Sequence, residues 1–208
     1  MRMRSNEEID AVVERTRDRM NIRGTLCPDM VHVLDCLTRR NFPRFSYVVV
    51  DDSELPNEEA KYDSNICQIT VRRSVHCKAQ EGDARARMTL AHELGHLVLG
   101  HGGIRYRKTS TNVAESAVSN VRIEEREAKY FASAFLAPLY LAKDCNSALE
   151  LEQTFNISRQ AAEIRHEEIS KIRRVERKEQ RPLPEGVVNF LQEAKKRGRK
   201  VDPSFLDT

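Results

Sequence analysis

His92, Glu93 and His96 fall within one pentapeptide, His92-Glu93-Leu94-Gly95-His96, and their types and spacing describe a chemistry. On a helix, side chains four residues apart lie nearly one above the other. The two imidazoles therefore point to one side and can chelate a single Zn²⁺, with Glu93 one position round. A carboxylate beside a metal-activated water is what a hydrolase needs to split an amide at neutral pH. The pattern also recurs by chance, so it carries weight only if the surrounding chain can hold it on a packed helix.

The flanking residues do so. The stretch from Ala84 to Ala91 contains neither Gly nor Pro, and Leu90, Leu94, Leu97 and Val98 supply an apolar stripe. Asp83 is placed to cap the start and Gly100 to stop the end, giving a helix of about four turns. Two unrelated histidines on a solvated helix would not come with so apolar a stripe.

A catalytic zinc takes three protein ligands and leaves a fourth place for water. The third ligand is sought in the run from Glu124 to Pro138, whose apolar face is Phe131, Ala134, Phe135 and Pro138. Glu127 is one turn back from Phe131, and Glu124 is nearly one turn back from Glu127, whereas Glu125 and Arg126 point elsewhere. Glu127 is thus the carboxylate expected at the metal, with Glu124 as the alternative or as a partner to a ligating His. His101 follows the first histidine by nine residues, one short of the spacing of a three-histidine site, and is read as a loop residue or at most a substrate-side donor. His32, His76 and His166 have no metal-compatible neighbours in sequence.

Other elements must position these groups. Residues 6–20 and 29–39 show helical spacing of apolar side chains. The period then shortens, in Phe45 to Val50 and again in Ile66 to Val71, with turn chemistry from Asp51 to Asn57. A small sheet of about three strands is expected just before the histidine helix. After a polar stretch from 101 to 119, helices are expected over 120–137, 148–155 and 158–180, with a turn at Asn156 and a last short helix over 184–196. The division expected is a first domain over 1–143 and a helical module over 144–208.

Composition narrows the function classes. Of 208 residues, 32% are charged, and the mean hydropathy of −0.61 is that of a soluble protein with no span of membrane length. The N-terminus lacks the apolar core of a secretion signal. Five scattered cysteines without a Cys-x-x-Cys pair argue for reduced thiols in a cytoplasm, not a disulfide framework or zinc ribbon. A net charge of +3 is too mild to imply nucleic acid, and the basic run from Lys195 to Lys200 reads as a solvated tail.

Three segments resemble the ImmA/IrrE-like metallopeptidases in order and spacing. Arg87-Met88-Thr89-Leu90-Ala91-His92-Glu93-Leu94-Gly95-His96-Leu97 looks like that family's core helix. The run from Glu127 to Pro138 is similar to its second signature, Glu-Ala-x-x-Phe-Ala followed by an apolar pair and Pro. The run from Leu151 to Arg165 looks like the segment that follows. The matches cover roughly residues 45–175. The resemblance implies an α+β, mostly helical, zincin-like metallopeptidase domain with a small sheet, followed by a helix-turn-helix-like module. It implies zinc held by His92, His96 and Glu127, with Glu93 activating water, and regulation of stress or mobile-element genes by cleavage of a helix-turn-helix repressor. Lys129 and Ala137 depart from the family pattern, which more often has Asn or Asp and Met there, but neither replaces a ligand.

Two points remain open in the sequence. An oxyanion donor is not identifiable, with Tyr106, His101 and Arg105 as candidates, and the strand edge near Ile66 to Val71 could align a peptide as an added strand. The alternative function is a transcription regulator that binds DNA through Leu149 to Glu168, with Ser158, Arg159 and Gln160 at the start of a recognition helix and zinc in a structural or sensing role. Against it, Glu150, Glu152, Glu163, Glu167 and Glu168 crowd that unit with charge that repels phosphate.

Overall fold

In the computed structural model, which describes residues 3–40, 44–102, 115–176 and 185–197, the first helix owes its start to a reciprocal cap. Ser5 Oγ accepts from the Glu8 N–H at 3.3 Å, and the Glu8 carboxylate accepts from the Ser5 N–H at 2.8 Å, which satisfies two donors that a helix start leaves open. Helix α1 (Asn6–Arg19) buries Ile9 and Val13. Its fully buried Arg17 donates to the Phe135 carbonyl at 2.7 Å and to Tyr140 Oη at 2.9 Å. Helix α2 (Met30–Arg40) begins where the Asp29 carboxylate accepts from the Val31 and His32 N–H groups, and it buries Met30, Val33, Leu34 and Leu37.

The sheet has three strands, β1 (Ser46–Val50), β2 (Ala60–Asp63) and β3 (Gln68–Arg72), in the order β1-β3-β2. β1 pairs parallel with β3, Tyr47 opposite Ile69; β2 pairs antiparallel with β3, Tyr62 opposite Ile69. Alternation puts Ala60, Tyr62, Ile69 and Val71 into the core. The stretch expected to offer an edge is therefore the paired centre of the sheet, and the edge beside the histidine helix belongs to β2. β2, with Lys and Asp among its four residues, carries almost no strand signal of its own.

Helix α3 (Arg73–Gln80) follows β3 directly, and Gly82, at φ +84°, turns the chain into α4 (Ala84–Val98). Asp83 caps α4 by accepting from the Ala86 N–H at 2.8 Å. Helices α5 (Glu115–Leu136) and α6 (Leu139–Ala142) come next, separated at Pro138. Then follow α7 (Ala148–Phe155), α8 (Arg159–Glu176) and α9 (Glu185–Lys196). Asn156, in the left-handed region at φ +49°, makes the turn after α7. Among the described residues, no helix is long and apolar enough to cross a membrane.

Compact units fall at 1–169 and 170–208. Side-chain anchors hold α7 and the first part of α8 within the first unit. Leu151 and Phe155 of α7 are fully buried, and Arg87 of α4 donates to the Phe155 carbonyl at 3.1 Å. Asn156 Nδ2 donates to the Gly82 carbonyl at 2.7 Å. In α8 the buried Arg165 donates to the Ala137 carbonyl at 3.0 Å and to the Glu168 carboxylate at 3.1 Å, and it pairs with Asp10 at 3.5 Å. The pair of helices over 148–169 is thus built into the core that holds α4 and α5.

Candidate metal centre

Helix α4 is anchored by Leu90, Ala91 and Leu94, all fully buried, and this orientation carries both histidines to one side. His92 Nε2 and His96 Nε2 lie 3.1 Å apart, with the rings edge-to-face at 80°. Glu125 of α5 completes the group, its Oε2 3.4 Å from His92 Nε2 and its Oε1 3.5 Å from His96 Nε2. These three residues can each offer a ligand atom within 4.8 Å of the others. Two neutral nitrogens and one anionic oxygen, held at that separation on rigid helices, suit a divalent transition-metal ion.

Gly95 sets the approach of α5. A β-carbon there would stand 3.0 Å from Phe131 Cδ1, 3.2 Å from the Ala128 carbonyl oxygen and 3.3 Å from Ala128 Cα. With no side chain at 95 and only a methyl group at 128, the helices come close enough for a Glu on one to reach His on the other.

Glu93 lies on the sheet side of the pair. It is 4% exposed, and its Oε2 accepts from the Tyr62 N–H of β2 at 2.7 Å. A cleft of about 430 Å³ opens alongside, walled by the turn 56–59 and by Ala60, Arg72, Arg85, Thr89, His92 and Glu93. Metal donors, a held carboxylate and an open cleft adjoin one another.

The sequence profile described as Peptidase_M78, the IrrE N-terminal-like domain, matches residues 47–167, more than half of the chain. The chain belongs to this family. A solved structure described as a Mycobacterium tuberculosis transcriptional regulator is similar in fold, with a TM-score of 0.51 at 17% identity. The likeness covers 75% of this chain but 45% of that one, so the chain spans less than half the length of that regulator. No curated protein matches.

Within this IrrE N-terminal-like domain, Glu127 is not brought to the histidine pair. It points into the seam beneath them, 2% exposed. Its Oε1 accepts from the Arg4 N–H at 2.7 Å, and its Oε2 accepts from Arg4 Nη1 at 2.7 Å and lies 3.1 Å from His101 Nε2. Burial pushes the Glu127 carboxyl up, but the Arg4 and His101 hydrogen bonds outweigh it and hold the group below its ordinary value. His101 is carried under α4 by the turn at Gly100, at φ +65°, and its Nδ1 lies 2.9 Å from His96 Nδ1. Glu124 is half-buried and falls outside the donor group.

Projection back from Phe131 turns Glu125 to another face. Projection from Ala128, which faces Gly95, turns it toward the histidines: Glu125 is three residues, nearly one turn, before Ala128. Of the oxyanion candidates, Tyr106 and Arg105 lie outside the described residues, and His101 is buried behind His96. His76 pairs with Tyr47 Oη at 2.9 Å, and His32 lies 3.3 Å from Cys36 Sγ.

Proposed function

We propose that this chain is a zinc-dependent endopeptidase acting on another protein, and that the cleaved protein is a helix-turn-helix repressor. One observation carries the reading: His92, His96 and Glu125 converge beside a held Glu93, and His92 and Glu93 line an open cleft. In this reading the third ligand is Glu125, in place of the Glu127 expected from sequence. Zinc bound by His92, His96 and Glu125 would supply Lewis acidity to the scissile carbonyl and to the attacking water.

The chain's own residues do the rest. Glu93 takes the proton of the attacking water and returns it to the leaving amine. The Tyr62 N–H, donated to Oε2, fixes the carboxylate orientation before substrate arrives. An extended peptide in the cleft passes along β2, whose Ala60 forms part of the wall. A cytoplasmic protease with an open cleft would be toxic without selectivity, so docking outside the cleft sets the substrate.

A second reading, direct DNA binding, draws on the exposure of Ser158, Arg159 and Gln160 at the start of α8. The deep seating of α7 and Arg165 in the core, together with the acidic residues of the unit, favours the first. The test incubates zinc-loaded protein with a helix-turn-helix repressor from its own organism and, separately, with casein. Cleavage of the repressor alone is expected, lost in Glu93→Gln. Rapid casein degradation with the repressor intact rejects the regulatory role. DNA shift without proteolysis, indifferent to Glu93→Gln, establishes the second reading instead.

A further inference from the structure

We propose that Arg4, Glu127 and His101 form a positioning chain that sets the tautomer and orientation of the metal ligand His96, making the N-terminal segment a working part of the metal site. The inference rests on the metal reading above and concerns residues that the reading leaves without a role.

Proton logic along the chain carries it. The guanidinium and backbone N–H of Arg4 can only donate; the backbone N–H and Nη1 each meet a Glu127 oxygen at 2.7 Å, and Nη2 donates to the Leu99 carbonyl at 2.7 Å. Glu127 therefore sits as an ionised acceptor. His101 Nε2, 3.1 Å from Glu127 Oε2, must then be the protonated ring nitrogen. A neutral imidazole protonated at Nε2 bears a lone pair on Nδ1, and that atom faces His96 Nδ1 at 2.9 Å. Two ring nitrogens at this distance share one proton, which His96 supplies. Its Nδ1 is thereby protonated and its Nε2 left with a lone pair. Nε2 is the atom that faces His92 and Glu125. The chain thus presets the ligating form of His96.

The location supports a positioning role. His96, His101 and Glu127 are each no more than 3% exposed, so water does not compete for these bonds. The His101 N–H also donates to the His96 carbonyl at 3.0 Å, fixing the backbone under the ligand. Arg4 closes the chain from 123 residues away, immediately before the capping box of α1. Outer partners of ligating histidines typically change metal affinity about 10–100-fold when removed.

The experiment combines competitive zinc titration, the absorption spectrum of the cobalt-substituted protein and ¹⁵N NMR of the histidines in metal-free wild type. In wild type, zinc binds and His96 is protonated at Nδ1 and not at Nε2. His92→Ala loses the metal. His101→Ala and Glu127→Gln keep one site but lower zinc affinity about 10–100-fold and alter the cobalt spectrum, and Arg4→Ala shifts both in the same direction. The Gln can donate to His101 Nε2 and so reverse the chain. Failure of wild type to bind zinc, or His92→Ala binding like wild type, overturns the metal reading and this inference with it. Zinc binding that needs His92 but is unchanged in His101→Ala and Glu127→Gln overturns the positioning chain alone. His96 protonated at Nε2 in the metal-free protein does the same, and needs no variant to fold.

Discussion

Gly95 of α4 packs against Ala128 of α5 so closely that a β-carbon on Gly95 would lie 3.2 Å from the Ala128 carbonyl oxygen. That contact sets how far Glu125 stands from the two histidines. Gly95→Ala brings two opposed effects. Replacing an interior helix glycine gains roughly 1 kcal/mol in propensity. Overpacking against backbone and the Phe131 ring costs about 1–3 kcal/mol. The clash should win, lowering the urea midpoint and weakening zinc binding as α5 is displaced. A more stable variant with wild-type zinc affinity would show that the seam has slack.

The two glutamates of α5 should separate cleanly. Glu125→Ala removes a proposed ligand and should lose zinc under a competing chelator. Its effect on metal-free stability should be smaller than that of losing Glu127, because its carboxylate is 27% exposed against 2%. Glu127→Ala leaves the Arg4 and His101 donors without their acceptor, which should lower metal-free stability by about 1–3 kcal/mol. Elemental analysis and denaturant melts read both. Zinc retained in Glu125→Ala and abolished in Glu127→Ala would return the third-ligand role to Glu127.

Glu93→Gln should keep both fold and metal, since the Gln oxygen can still accept from the Tyr62 N–H. Hydrolysis of the substrate protein should fall by about 10²–10⁴-fold, as expected on losing a general base. Turnover within a few-fold of wild type would remove Glu93 from that role.

Arg165→Met tests what holds α8 to the core. The side chain of Arg165 is fully buried, while Asp10 and Glu168 are only 15% and 23% exposed. Taking away the cation removes an ion-pair partner from both carboxylates and the donor to the Ala137 carbonyl, although Asp10 keeps its hydrogen bond from Tyr130 Oη at 2.8 Å. A loss of about 3–5 kcal/mol is expected, read from chemical denaturation. A loss below about 1 kcal/mol would mean that the apolar contacts of α7 and α8 suffice.

Much of this arrangement is local and therefore legible in the chain. The cap at Asp83, the leucine stripe and the stop at Gly100 determine α4, and four-residue spacing then puts His92 and His96 on one side. The apolar spacing of α2 and the β-branched runs of β1 and β3 are equally local. β2 is not local in this sense, because Ala60-Lys61-Tyr62-Asp63 becomes a strand only by pairing with β3. Which carboxylate stands beside the two histidines depends on the roll of α5, which no periodicity within α5 specifies. Phe131 and Glu127 do share a buried stripe, as their spacing requires. Where that stripe leads is decided by Gly95 and Ala128, which set the helix contact, and by Arg4 and His101, two widely separated upstream residues that both claim Glu127. Helical geometry acts over four residues and so can be read locally. The choice between two carboxylates two residues apart depends on partners 26 and 123 residues distant, and only the packed chain brings those together.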